Sequence, residues 1–201
     1  MPEYRTLEPA ELVASSDRSV AASQVAAADV CGANAIAHRD TVLGLIVDRP
    51  DVALRSCLPG HLTGSALVVD ATATHTLLML HRKLGRWFQP GGHADGDTNL
   101  AAVAWREATE ETGIEGLSVL IPAIDVDVHE VAPPGEPVHL HLDTRFLVLA
   151  PADAVVSANE ESLDLRWVRE TDLDHLDPPI DPGTRHLIAV GLRRAAALKA
   201  G

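Results

Sequence analysis

Residues 90–114, PGGHADGDTNLAAVAWREATEETGI, constrain this chain of 201 residues more than any other stretch. A glycine-rich loop runs straight into a helix, and a glycine closes that helix. Asp97, Thr98 and Asn99 are each suited to cap its start, because a short side-chain oxygen accepts from the free amides of the first turn. Gly113 stands where a left-handed C-cap residue is wanted. Inside the helix, Glu107, Glu110 and Glu111 are spaced i, i+3 and i+4, so their side chains converge on one patch. Like charges so placed cost about 0.2–0.5 kcal/mol per pair on a solvated surface. A hard divalent cation such as Mg²⁺ or Mn²⁺ removes that repulsion and uses the geometry.

A solvated acidic face is the competing reading, and helix angles argue against it. At about 100° per residue, with Leu100 at zero, Ala104, Ala108, Ala101 and Trp105 fall between about 40° and 140°. That is a core-facing stripe. Glu111, at about 20°, and Glu107, at about 340°, border the stripe, while Glu110, at about 280°, lies further out. Carboxylates at the edge of a core need partners. Arg106 is the one cation nearby in sequence, and it precedes Glu110 in the less favourable order for a helix pair.

The stretch resembles the signature of the Nudix hydrolases, G-x5-E-x7-R-E-U-x-E-E-x-G-U with U aliphatic. Gly92, Arg106, Glu107, Ala108, Glu110, Glu111, Gly113 and Ile114 match it in type and spacing. Thr98 departs: it stands where the pattern has its first Glu, with Asp97 one residue earlier. In the family that Glu braces the loop and the helix Arg, and Asp97 is expected to take the role here. The resemblance implies an α/β fold, a Nudix-type α/β/α sandwich with a mixed β-sheet. It covers residues 63–200 and leaves an additional N-terminal helical segment outside.

Composition bounds the partners. The formal net charge of −13 argues against a nucleic-acid polymer. It still admits a small phosphorylated substrate held through a metal. No apolar run is long enough to span a membrane, and two cysteines, Cys31 and Cys57, fit a cytoplasmic chain without a structural disulfide. Aromatics make up only 3% of the chain, so the core must be aliphatic.

Taken in order, residues 1–59 read as a helical segment and residues 60–201 as the hydrolase domain. Helices are expected over 8–28 and 40–47, the second ended by Pro50. The segment reads as a cap on the catalytic domain, with a homodimer surface or a substrate lid as the functional alternative. Strands are expected over 65–69 and 76–81, then 117–131, 138–149 and 163–168, with a break at 132–137 and a last helix over 183–198. Between the second and third strands, Arg82, Lys83 and Arg86 form a basic cluster suited to phosphate oxygens. Trp87 and Phe88 read as core, with a place beside the substrate as the alternative. One face of the strand at 138–149 carries His139, His141, Asp143 and Arg145. Ligands at i, i+2 and i+4 span about 13 Å of extended chain, so this face reads as a polar cleft wall in reach of substrate and not as a metal site.

The resemblance then implies hydrolysis of a diphosphate linkage in a nucleoside diphosphate joined to another group. Glu107, Glu110 and Glu111 would hold Mg²⁺ or Mn²⁺, and Arg106 would orient them. Glu160 or Glu161, in a late loop, would serve as general base. Arg82, Arg86, Gly91, Gly92, His93 and His141 are the expected substrate contacts. A catalytically silent Nudix domain acting as a nucleotide-binding sensor is the alternative that the Thr98 departure suggests, and a scaffolding role for residues 1–59 is another.

Overall fold

A computed structural model describes residues 3–132, 135 and 137–200 of the protein. The expected break at 132–137 lies partly outside these residues. Three residues add an edge strand that the sequence does not announce, β1 (Arg5–Leu7). The helix expected over 8–28 is shorter than its alanine content suggests. It is α1 (Arg18–Ala27), begun by Asp17, whose carboxylate accepts from Ser19 N at 2.9 Å. Ser15, Ser16 and Asp17 favour local turns over helix interior, so the first half stays out of the α-helix and makes only a 3-10 turn at Pro9–Glu11. The next helix, α2 (Ala33–Asp48), starts earlier than expected, at Gly32 with φ +93°, and stops where Pro50 forces Arg49 into an extended conformation.

The remaining strands and α-helices are β2 (Gly60–Val69), β3 (Thr76–His81), β4 (Arg86–Phe88), β5 (Gly91–His93), α3 (Leu100–Thr112), β6 (Ser118–Val131), β7 (His139–Leu149), β8 (Ser162–Val168) and α4 (Pro182–Ala200). They form one mixed sheet in the order β1-β6-β7-β2-β3-β4, with β5 on β2 and β8 on β3. β2 and β7 are parallel in register from Gly60↔Leu140 to Val69↔Leu149, and the other pairs are antiparallel.

Side chains on a strand alternate between faces, and here each face has its own core. Leu62, Ala66 and Val68 of β2 pack with Leu7, Val25, Val42 and the apolar stripe of α3. Leu67 and Val69 pack with Leu147, Trp87, Leu187 and Ile188, beneath α4. The arrangement is an α/β/α sandwich. Helix α3 sits directly on β2, since a Cβ at Gly64 would lie 2.8 Å from the Leu100 carbonyl oxygen. Trp87 is core as expected, 1% exposed, with its Nε1 donating to Asp177 O.

Strand β6 is irregular between Leu120 and Asp125. Past that point Asp125, Asp127 and His129 oppose Arg145, Asp143 and His141 of β7 and share their face. No described helix is long and apolar enough to cross a membrane.

Candidate active site

Asn99 is the residue that caps α3, its Oδ1 accepting from Ala102 N at 3.3 Å. Gln24 of α1 completes the cap. Its Oε1 accepts from Leu100 N at 2.8 Å, and its Nε2 donates to Asn99 Oδ1 at 2.7 Å. Gly113 closes the helix at φ +66°, as expected. Asp97 does not brace Arg106. Its Oδ1 accepts from Ser15 N and Asn99 N, both at 2.9 Å, while Thr98 Oγ1 donates to Ser15 O and Asp17 O at 3.0 and 2.8 Å. Residues 15–17 lie against the back of the loop, so a buried hydroxyl answering backbone carbonyls replaces a charge at this position.

The loop and helix bring Glu107 and Glu111 onto β5. Glu111 is 5% exposed and accepts from Gly91 N at 3.1 Å. Glu107 accepts from Arg106 Nη2 at 2.8 Å and lies so close to Gly92 that a Cβ there would collide with its carboxylate. Arg106 also donates to His93 O at 3.0 Å, tying helix to strand. Glu110 is exposed at the rim. Burial pushes the Glu111 carboxyl up to about 8 against the pull of the Gly91 amide, with the charges of Glu107, Glu161 and Glu110 adding to the rise. Burial raises Glu107 as well, against Arg106. This oxygen-only donor set, short of positive charge and open at the Glu110 side, fits a hard dication.

The late loop reaches the same patch. Glu161 is exposed, yet its charge acts on both Glu107 and Glu111. Arg82 donates through Nε to Glu160 O at 2.8 Å and through Nη2 to Ser162 O at 3.1 Å. Asn159 Nδ2 donates to Glu110 O at 3.2 Å. Arg82 therefore clamps the loop that carries Glu160 and Glu161. Arg86 is exposed on β4, opposite His81.

His93 and His141 lie on the other face of the sheet. Their rings are 5.0 Å apart, and both are about 5 Å from His61 of β2. His139 joins them at 4.8 Å from His61, and His129 at 5.4 Å from His141. Burial lowers His93 to about 4, with Arg55 and His61 adding to the fall, and lowers His141 to about 3, with His93 and His129 adding. Beside them Arg145 meets Asp143, Asp127 and Asp125 at 2.8, 2.8 and 3.1 Å. Thr63 and Ser65 complete Asp143. Sequence reasoning missed His61, His129, Gln24 and the two aspartates of β6. Their neighbours come from other strands and helices, so no spacing along the chain marks them.

The sequence model of a family described as NUDIX domain matches residues 61–190. A Mycobacterium tuberculosis protein, provisionally named 8-oxo-dGTP diphosphatase 3, is 33% identical over 119 residues in two strains. That match covers 55% of this chain, and the chain spans only about half, 51%, of those relatives. Among solved structures, a NUDIX-family hydrolase from Clostridium perfringens superposes with TM-score 0.53 at 22% identity, covering 67% of this chain and 97% of that one. An Ap4A hydrolase from C. elegans gives 0.53 at 19% identity, covering 70% and 98%. At these identities the two structures speak for the fold.

Proposed function

Because this chain belongs to the NUDIX family, we propose that it is a divalent-metal-dependent hydrolase that cuts a diphosphate linkage in a nucleoside diphosphate joined to another group. One observation carries the reading. Glu111 is buried against the Gly91 amide beside Glu107, with a carboxyl pushed up to about 8 by burial. A carboxylate buried in this way is costly unless a cation completes it. Glu107, Glu110 and Glu111 would hold Mg²⁺ or Mn²⁺. When bound, the ion neutralises phosphoryl oxygens and lowers the pKa of the attacking water.

The chain's own residues divide the rest of the work. Gly91 and Gly92, lacking side chains, let Ser65 and the Glu107 carboxylate close onto the backbone of β5, which holds Glu107 in place. Arg106 fixes Glu107 and β5 together. Glu161 is the favoured general base over Glu160, because its charge acts on Glu107 and Glu111 and Arg82 steadies its loop. The relative's name makes an oxidised purine nucleoside triphosphate the first compound to try, in which the other group is phosphate.

Glu111→Gln tests the reading. Turnover on a panel of nucleoside diphosphate compounds with Mg²⁺ and Mn²⁺ should fall about 10²-fold or more. The melting temperature in chelator should not fall, since the amide oxygen of Gln can still accept from Gly91 N. Near-wild-type turnover in that variant would remove Glu111 from the chemistry. Nucleotide binding without turnover in the wild type would favour the silent sensor, for which Thr98 in the first Glu position is the supporting feature.

A further inference from the structure

We propose that His61, His139 and His141 form a second metal centre, for a divalent transition ion of the Zn²⁺ type, on the sheet face opposite the carboxylate patch. One ligand nitrogen from each lies within 4.8 Å of the other two. Zn–N bonds of about 2.0–2.1 Å in a tetrahedral site set ligand nitrogens about 3.4 Å apart, a closure within reach of side-chain rotation. The parallel register sets His61 beside His141, and His139 lies one step back on the same face. The long span of ligands along one strand is thereby avoided: two come from β7 and the third from its neighbour. Asp143, the third member of the run along β7, is taken by Thr63, Ser65 and Arg145.

Two further observations point to a ligand. His61 is 2% exposed, and among the described residues neither ring nitrogen has a hydrogen-bond partner at normal geometry. Buried imidazoles ordinarily satisfy both nitrogens. An ion takes the lone pair and leaves the nearby Cys57 backbone, which already acts on this ring, for the remaining N–H. His139 has its Nδ1 2.8 Å from Pro137 O. A carbonyl only accepts, so Nδ1 carries the proton and Nε2 presents its lone pair. This is the outer-shell arrangement that orients ligating histidines.

The donor set also distinguishes this centre from the other. Three imidazoles and no carboxylate suit Zn²⁺ and its transition-metal neighbours, whereas Mg²⁺ prefers the oxygens on α3. Three protein ligands leave one coordination position open, and His93, 5.0 Å from His61 and His141, is near enough to shield it. The proposal stands apart from the hydrolase reading and survives its failure.

The test titrates Co²⁺, then Zn²⁺, into the metal-stripped chain of 201 residues held in saturating Mg²⁺. Wild type should take up one Co²⁺ with the intense visible bands of a tetrahedral site, and one Zn²⁺ should abolish them. His61→Leu should lose the bands and weaken Zn²⁺ binding at least about tenfold. In chelator its melting temperature should equal or exceed wild type, because it removes two buried nitrogens that make no hydrogen bond of normal geometry. Zn²⁺ should then raise the melting temperature of wild type but not of this variant. Glu111→Gln should keep the bands. Should His61→Leu not fold, His139→Gln is expected to show the same loss. Absence of tetrahedral bands in wild type, or wild-type Zn²⁺ affinity in a folded variant at either histidine, overturns the proposal.

Discussion

Two acidic clusters occupy opposite faces of the same sheet, and they treat charge in opposite ways. Around Arg145, three aspartates share one guanidinium, and threonine and serine hydroxyls fill the remaining acceptor sites of Asp143. Burial works against Asp127, but the His129 hydrogen bond and Arg145 overcome it and hold its carboxyl at about 2. Around α3, half-buried Glu107 and buried Glu111 have Arg106 on one of them, and burial holds Glu111 near 8. A cluster closed by its own protein partners specifies structure. A cluster left short of positive charge suits a cation, and this contrast supports the proposed active site more sharply than acidity alone.

The largest effect should come from opening the closed cluster. Arg145→Met leaves Asp143 and Asp125 buried without their cation and should cost about 3–5 kcal/mol, read as a lower urea midpoint at unchanged slope. A loss below 1 kcal/mol would erase the distinction between the clusters. Next, Glu161→Gln should lower kcat about 10²-fold with KM little changed, whereas Glu160→Gln stays near wild type. Equal losses in both would return the base assignment to the loop as a whole.

Smaller effects probe the supports. Gln24→Ala uncaps α3 from the N-terminal side and should cost about 1 kcal/mol by denaturant unfolding. No cost would mean that α1 merely rests on the site. A change of similar size tests a second closed carboxylate. Burial opposes Asp70, yet hydrogen bonds from Thr72 and from the amides of His75 and Thr74 outweigh it and hold it at about 2. A depressed carboxyl adds stability above its ordinary 3.8 and loses it as pH falls toward 2. Asp70→Asn should therefore cost about 1 kcal/mol at pH 7, with the gap to wild type narrowing between pH 4 and 2. A gap independent of pH would assign the effect to shape.

The sequence by itself determined α3, its glycine stop, the carboxylate trio and the loop before it. These are local matters: capping, a 3.6-residue period and charge spacing act within a few residues. Tertiary structure alone decided what lies next to what across strands. It shortened the first helix in favour of capping at Asp17, added β1 at the sheet edge, and set residues 15–17 behind Thr98. It also placed His61 beside His141 through a parallel register that no stretch of either strand encodes. Strand neighbours are chosen by the burial of whole faces, and that energy is summed over the entire sheet.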